Sequence, residues 1–321
     1  YRILSLAHEG DTMLKGCSIL CFGKDWQESP TSNNHVMTQL ARHNTVLWVN
    51  SVTMRVPSLG SKRDVSKVFK KIKENFSGLK RIREGLYVYT PLVIPFWKSE
   101  YVRRINRLLL RLQIAPVIRK LGMKDVQLWM FIPPAGQMIG LFDEKVKIYY
   151  CTDDWTGFSY LDPKLMERFE DGLLANTDVV IATSDVLYES KKKKNANTHL
   201  ITHGVDFDLF ARVDQSLPAP SDIALIPKPV VGFYGLIQDW IDFPLLKKIA
   251  VSHPEWSLVL IGKIAADVTM LTCLSNVYFP GEKPYRELPL YSRFFDAAII
   301  PYNTQDMRMQ TVNPTKLKQY L

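Results

Sequence analysis

Short apolar runs recur along the chain, separated by stretches in which apolar residues stand three and four apart. Ser18-Ile-Leu-Cys-Phe22 ends in Gly23 and reads as a buried strand. A loop with Trp26 and Pro30 leads to a helix from about Asn34, with Val36, Met37, Leu40 and Ala41 at helical spacing. Val46-Leu-Trp-Val49 is the next strand, so the opening is a βαβ unit and predicts a parallel sheet. Residues 60–84 are basic, with Val65, Val68, Phe69, Ile72 and Phe76 at helical intervals. Leu86-Tyr-Val-Tyr89, Val126 to Ile132, Val146 to Tyr150 and Val179 to Ala182 follow as strands. Between them, a helix from Glu100 to about Ile114 carries Val102, Ile105, Leu108, Leu109 and Leu112 on one face and arginines on the other, and Pro116 is expected to break or restart it. Asp162 to Leu174 is an amphipathic helix, and Lys191 to Lys194 reads as a solvated loop.

The alternation then pauses and restarts. Residues 211–229 hold four prolines and little periodicity, which suits a linker. Val230 to Gly235 is a strand entering a glycine turn, and Ser257 to Gly262 another. The expected organisation is an N-terminal domain over 1–210, the linker, and a C-terminal domain over 230–321. Both are read as doubly wound Rossmann-like α/β domains that face each other across a ligand-binding cleft.

Composition agrees with two cores. The 321 residues are 46% hydrophobic and 23% charged, which argues against wholesale disorder. No apolar run is long enough to span a bilayer, and residues 1–20 lack a signal peptide's pattern. The chain starts at Tyr1, and Met13 is a candidate natural start that would make 1–12 an appendage. It stops in an expected helix, so the C-terminal domain is read as incomplete. Cys17, Cys21, Cys151 and Cys273 show no metal-ligand spacing, which points to a reducing cytoplasm and no zinc. The net charge of +9 gathers at 62–83 and 98–120, favouring an anionic partner: lipid head groups or nucleic acid.

The candidate chemistry sits at strand ends. Asp296-Ala-Ala-Ile-Ile-Pro301-Tyr302 reads as a strand running into a loop, and Asn313-Pro314-Thr315-Lys316 opens a helix. Free N–H groups of that first turn, with Lys316 beside them, suit an anion such as a diphosphate. Lys316 and Gln319 are three apart and share a helix face. Gly235 either admits a ligand close to backbone or makes a tight turn, and Lys263 places a second cation at a strand end. Asp153 and Asp154 follow a strand and precede Trp155 and Gly157. They suit proton abstraction from a hydroxyl, with turn capping as the alternative.

In order, GVD…F, VGFYG…WID, LVLIGK, FPGEKPYRELPLY, DAAIIPY and NPTKLKQYL resemble the nucleotide-sugar half of GT-B glycosyltransferases. GKDW, VLWVN and YYCTDDWTGF resemble the acceptor half of bacterial polysaccharide transferases of the xanthan glucuronosyltransferase and teichuronic-acid type. Many retaining relatives carry two Glu where Thr311 and Gln319 stand here, so the Lys316–Gln319 pair resembles the inverting, xanthan type instead. The resemblance implies a nucleotide-sugar donor, UDP-linked, held by Gly235, Lys263, Gly281, Glu282, Lys283, Tyr302, Asn313, Thr315, Lys316 and Gln319. It implies a saccharide or lipid-linked acceptor on the side of Gly23, Trp26 and Trp155, with Asp154, ahead of Asp153, as the base. No metal and no organic cofactor are called for. The segment Phe96-Trp97-Lys98 and the arginine-rich helix suit an anionic membrane surface, hence a protein peripheral on the cytoplasmic face. Two other readings stay open: a sugar-nucleotide binder without turnover, and a basic nucleic-acid-binding protein, against which the lack of aromatic strand spacing counts.

Overall fold

The structure, a computed structural model, describes residues 14–28, 30–50, 78–94, 99–158, 161–213 and 216–321. The expected appendage over 1–12, the helical spacing over 65–76 and the segment Phe96-Trp97-Lys98 lie outside these residues. The chain divides into two compact units, Tyr1–Thr202 and His203–Leu321.

The first unit is built on β1 (Ser18–Phe22), β2 (Thr45–Val49), β3 (Lys80–Arg83), β4 (Leu86–Tyr89), β5 (Gln127–Met130), β6 (Val146–Cys151), β7 (Val179–Ala182) and β8 (Thr198–Leu200). They form one sheet in the order β3-β4-β2-β1-β5-β6-β7-β8. All pairings are parallel except β3 with β4. Every residue of β1, β5 and β7 is buried, as expected of parallel strands covered on both faces. The helices α1 (Ser32–Leu40), α2 (Glu100–Lys120), α3 (Pro163–Asn176) and α4 (Asp185–Lys192) connect them.

Three expectations change here. Residues 80–83, included in the basic helical stretch, form an edge strand, its arginines turned outward on a sheet edge. α2 does not stop before Pro116 but runs through it to Lys120. The carbonyl that Pro116 leaves unpaired belongs to Leu112, four residues back on an exposed part of the helix, so water can satisfy it. The packed face of α2 is Asn106, Leu110, Ile114 and Ile118, whereas Leu108 and Leu112 are exposed beside the arginines.

The second unit has a four-stranded parallel sheet, β9 (Val230–Tyr234), β10 (Ser257–Ile261), β11 (Val277–Gly281) and β12 (Ala297–Ala298), in the order β11-β10-β9-β12. Residues 203–213 and 216–229 pack with this unit. They include the helix α5 (Phe207–Ala211). Phe210, Ile223 and Ile226 join a core with Val230, Tyr234, Val259 and Ile261. Tyr291 donates to Asp222 at 3.0 Å, and Arg293 donates to the Leu217 carbonyl. The remaining helices are α6 (Phe243–Ser252), α7 (Thr269–Thr272), α8 (Leu288–Ser292), α9 (Met307–Thr311) and α10 (Thr315–Tyr320).

Each sheet has a point where strand order reverses. In the first unit, β2 lies on one side of β1 and β5 on the other; in the second, β10 and β12 flank β9. In doubly wound sheets, ligands bind beyond the carboxyl ends of the strands at such points.

Candidate functional site

In the second unit the reversal brings Gly235, Tyr302 and Lys316 together. Gly235 follows β9 at φ +146°, a conformation that favours glycine. A Cβ built there would lie 2.3 Å from Lys316 Cε and 2.8 Å from its Nζ. The ammonium donates to the Tyr302 hydroxyl at 3.3 Å. It also lies 5.6 Å from the Phe233 ring centroid and 5.9 Å from that of Tyr302, within cation–π range. Tyr302 is held in turn by a bridge to Ile241.

Gly235 also has a partner that the sequence does not reveal. Gly262 follows β10 at φ +149°, and a Cβ there would lie 1.8 Å from the Gly235 carbonyl. The Gly235 amide donates to the Ile261 carbonyl at 2.8 Å. Two strand-end glycines therefore lie backbone to backbone, as the tight-turn reading of Gly235 requires.

The other donor-side candidates are spread along the same strand ends. Lys263 is exposed beyond β10, and its carbonyl accepts from Ile237 at 3.0 Å. The Gly281 carbonyl accepts from the Gly262 amide at 3.0 Å, and Glu282 is exposed. Lys283 is tied to Asp222 at 2.7 Å, so its charge is already matched. Asn313 and Thr315 flank Pro314, which is the N-cap of α10. The Gln319 side chain bonds that of Tyr285, whose ring meets Phe210 edge-on at 5.8 Å.

In the first unit, Asp153 and Asp154 lie just past β6, at the carboxyl edge of the sheet. The two differ in what they do. Asp154 Oδ1 accepts from the Thr156 amide at 3.0 Å and the Thr156 hydroxyl at 2.6 Å, capping the short 3-10 turn Trp155–Gly157. Asp153 accepts from the Thr152 hydroxyl at 2.7 Å. Burial pushes the Asp153 carboxyl above the ordinary carboxylate range; the Thr152 hydroxyl opposes this and the Asp154 charge adds to it. Trp155 is buried against Phe158, and its indole N–H has no partner among the described residues.

Gly23 and Trp26, at the end of β1, are both fitted to Trp48. A Cβ on Gly23 would lie 2.3 Å from the Trp48 ring, and Trp26 meets that ring edge-on at 5.0 Å. Packing accounts for both residues.

Several groups escaped the sequence reading. Lys191 is not in a solvated loop: it is buried near the end of α4, 2.8 Å from Glu170 of α3. Tyr149 donates to the same carboxylate at 2.7 Å. The Cys151 thiol lies 3.6 Å from the Asp153 carbonyl, and burial raises its pKa to about 12. In the second unit, Arg308 bridges Asp306 and Asp239 and lies over the Trp240 ring, tying α9 to the loop after β9. His203 is buried, its pKa lowered to about 4 by burial and by the Lys318 charge. Spacing along the chain carries no trace of the Lys191–Glu170, Arg308–Asp239 and His203–Lys318 pairs, because each joins distant segments of the chain.

The fold is that of GT-B glycosyltransferases. It matches the Anabaena Alr3699/HepE crystal structure in complex with UDP and glucose with a TM-score of 0.60 at 14% identity, over 88% of this chain and 73% of that one. The OtsA apo structure matches with a TM-score of 0.59 at 9% identity, over 95% and 81%. The catalytic domain of Arabidopsis thaliana Starch Synthase IV, bound to ADP and acarbose, matches with 0.55 at 12% identity, over 90% and 78%. In sequence, the chain is 29% identical over 210 residues to a Bacillus subtilis (strain 168) protein named for teichuronic acid biosynthesis, the glycosyltransferase TuaH. That alignment covers 60% of this chain and 52% of the relative, so the chain spans about half the length of the curated protein it matches. No protein-family model matches.

Proposed function

We propose that this chain is a glycosyltransferase that moves a sugar from a UDP-sugar to a saccharide or lipid-linked saccharide acceptor, with inversion, in cell-surface polysaccharide synthesis at an anionic membrane surface. The observation that carries the reading is the Lys316 ammonium set over Gly235 and against the Tyr302 hydroxyl, where the strand order of a nucleotide-binding type of sheet reverses. The relative's teichuronic acid role and the UDP in the HepE complex support the substrate class.

The mechanism needs two groups. A base takes the proton of the acceptor hydroxyl as its oxygen attacks the anomeric carbon; the bond from that carbon to the diphosphate oxygen breaks. Asp153 is the base in this reading, because its carboxyl has the raised pKa while Asp154 Oδ1 is committed to the turn. Lys316 stabilises the charge that develops on the departing diphosphate. No metal or organic cofactor enters the scheme.

The test is release of UDP from candidate UDP-sugars in the presence of a lipid-linked acceptor, with the product's anomeric configuration read by NMR. Asp153→Asn is expected to abolish turnover while leaving UDP binding intact. Lys316→Ala is expected to weaken UDP binding about tenfold or more, the usual worth of a charge-assisted contact. UDP binding without turnover by the unaltered protein would favour the binder reading. Retention of configuration would overturn the inverting assignment.

A further inference from the structure

We infer that the outer face of α2 is a docking surface for an anionic lipid bilayer. The observation is a line of side chains that the buried face of the helix does not use. Tyr101 is 73% exposed, Leu108 59% and Leu112 63%. Arg104, Arg111 and Arg119 are exposed with them. At 3.6 residues per turn, these six positions fall within an arc of roughly 100°. The buried positions Asn106, Leu110 and Ile114 lie on the other side, and buried Ile118 borders the outer arc next to Arg111.

The remaining arginines of the helix are spent inside the unit. Arg107 reaches the carbonyls of Gln137 and Ile139, and Arg103 lies 5.9 Å from the centre of the Phe169 ring. What faces outward is therefore a mixture: three cations between three large apolar groups, with Glu100, paired to Arg104 at 2.7 Å, as the acidic residue of the helix.

A single exposed leucine is ordinary on a protein surface, but an aligned set of apolar groups flanked by cations is not. Two needs must be met at once. Arg104 has Glu100 beside it; Arg111 and Arg119 need anions from outside the helix, and Tyr101, Leu108 and Leu112 need an apolar phase. A nucleic acid meets the first need and leaves the leucines in water. The head-group zone of an anionic bilayer meets both: phosphates lie at the level of the guanidinium groups, and acyl chains begin just below them. A helix of 21 residues would lie about 30 Å along that plane.

This inference names the contact face for the membrane side of the proposed function, but its test needs no catalysis. The protein is sedimented with phosphatidylcholine vesicles, with and without about one-third phosphatidylglycerol. Binding to the anionic vesicles, weakened by salt, is expected, with little binding to the neutral ones. Leu108→Ser with Leu112→Ser, and separately Arg104→Glu with Arg111→Glu, are each expected to lower partitioning about tenfold or more. All four side chains are exposed, and circular dichroism checks that the fold is kept. Binding that ignores lipid charge, or that survives both paired substitutions, overturns the inference. So does competition by a single-stranded oligonucleotide that the leucine pair does not affect. Turnover of a water-soluble acceptor reports on the transferase reading separately, and both paired variants are expected to keep it.

Discussion

Residue 235 shows how one missing Cβ shapes a site. The space a side chain would need is filled by Lys316, and the backbone takes a φ that a side chain would strain. Gly235→Ala is expected to displace the lysine and weaken UDP binding as much as Lys316→Ala does, measured by titration calorimetry. If instead only thermal stability drops, the glycine serves the turn with Gly262 and not the ligand. Asp153 makes a different point. Its carboxyl pKa is raised by burial, so across the window above the ordinary value of 3.8 the folded chain binds more protons than the unfolded one. The contribution of this residue to stability therefore falls as pH rises through that window. Asp153→Asn removes the penalty, so the variant is expected to melt higher than the parent at neutral pH while losing turnover. Paired melting curves at acidic and neutral pH check the sign.

At the scale of elements, two helices meet under the carboxylate turn. The Lys191–Glu170 pair joins α4 to α3, with Tyr149 of β6 completing the carboxylate's bonds. Burial works against the Lys191 charge, but the Cys151 and Glu170 groups outweigh it and hold its pKa above the usual lysine value. Removing one partner strands the other, so Lys191→Met is expected to cost about 3–5 kcal/mol in urea denaturation. Glu170→Gln combined with Lys191→Met is expected to recover most of that, because a neutral amide still accepts from Tyr149. A double variant no better than the single one would show that the pair matters for packing and not for charge.

At the scale of the whole molecule, the proposed function assigns donor binding to the second unit. UDP is expected to slow amide exchange in the loop after β9, around Tyr302 and at the start of α10, and to raise the melting point of the protein. Protection confined to the strand ends of the first unit would move the donor to the other half. How much of this was legible beforehand depends on distance along the chain. The βαβ alternation, the restart at Val230 and the placing of Gly235, Asp153 and Lys316 at element ends all rest on local periodicity and on short-range turn chemistry. The packing of 203–213 and 216–229, the burial of Lys191 and the Arg308 clamp do not, because each depends on residues more than twenty positions apart meeting in space.

The order of apolar and polar residues was enough to determine two α/β halves and the strand ends that carry the candidate residues, since a side chain's face follows from the 2.0 and 3.6 periods of the backbone. Which lysine stands over which glycine, which of two adjacent carboxylates is tied into a turn, and which leucines of α2 face outward were decided by tertiary structure alone. A helix of leucines and arginines can be rolled about its axis with little change in its own energy. Its neighbours in the folded unit fix the roll, and with it the surface the protein presents.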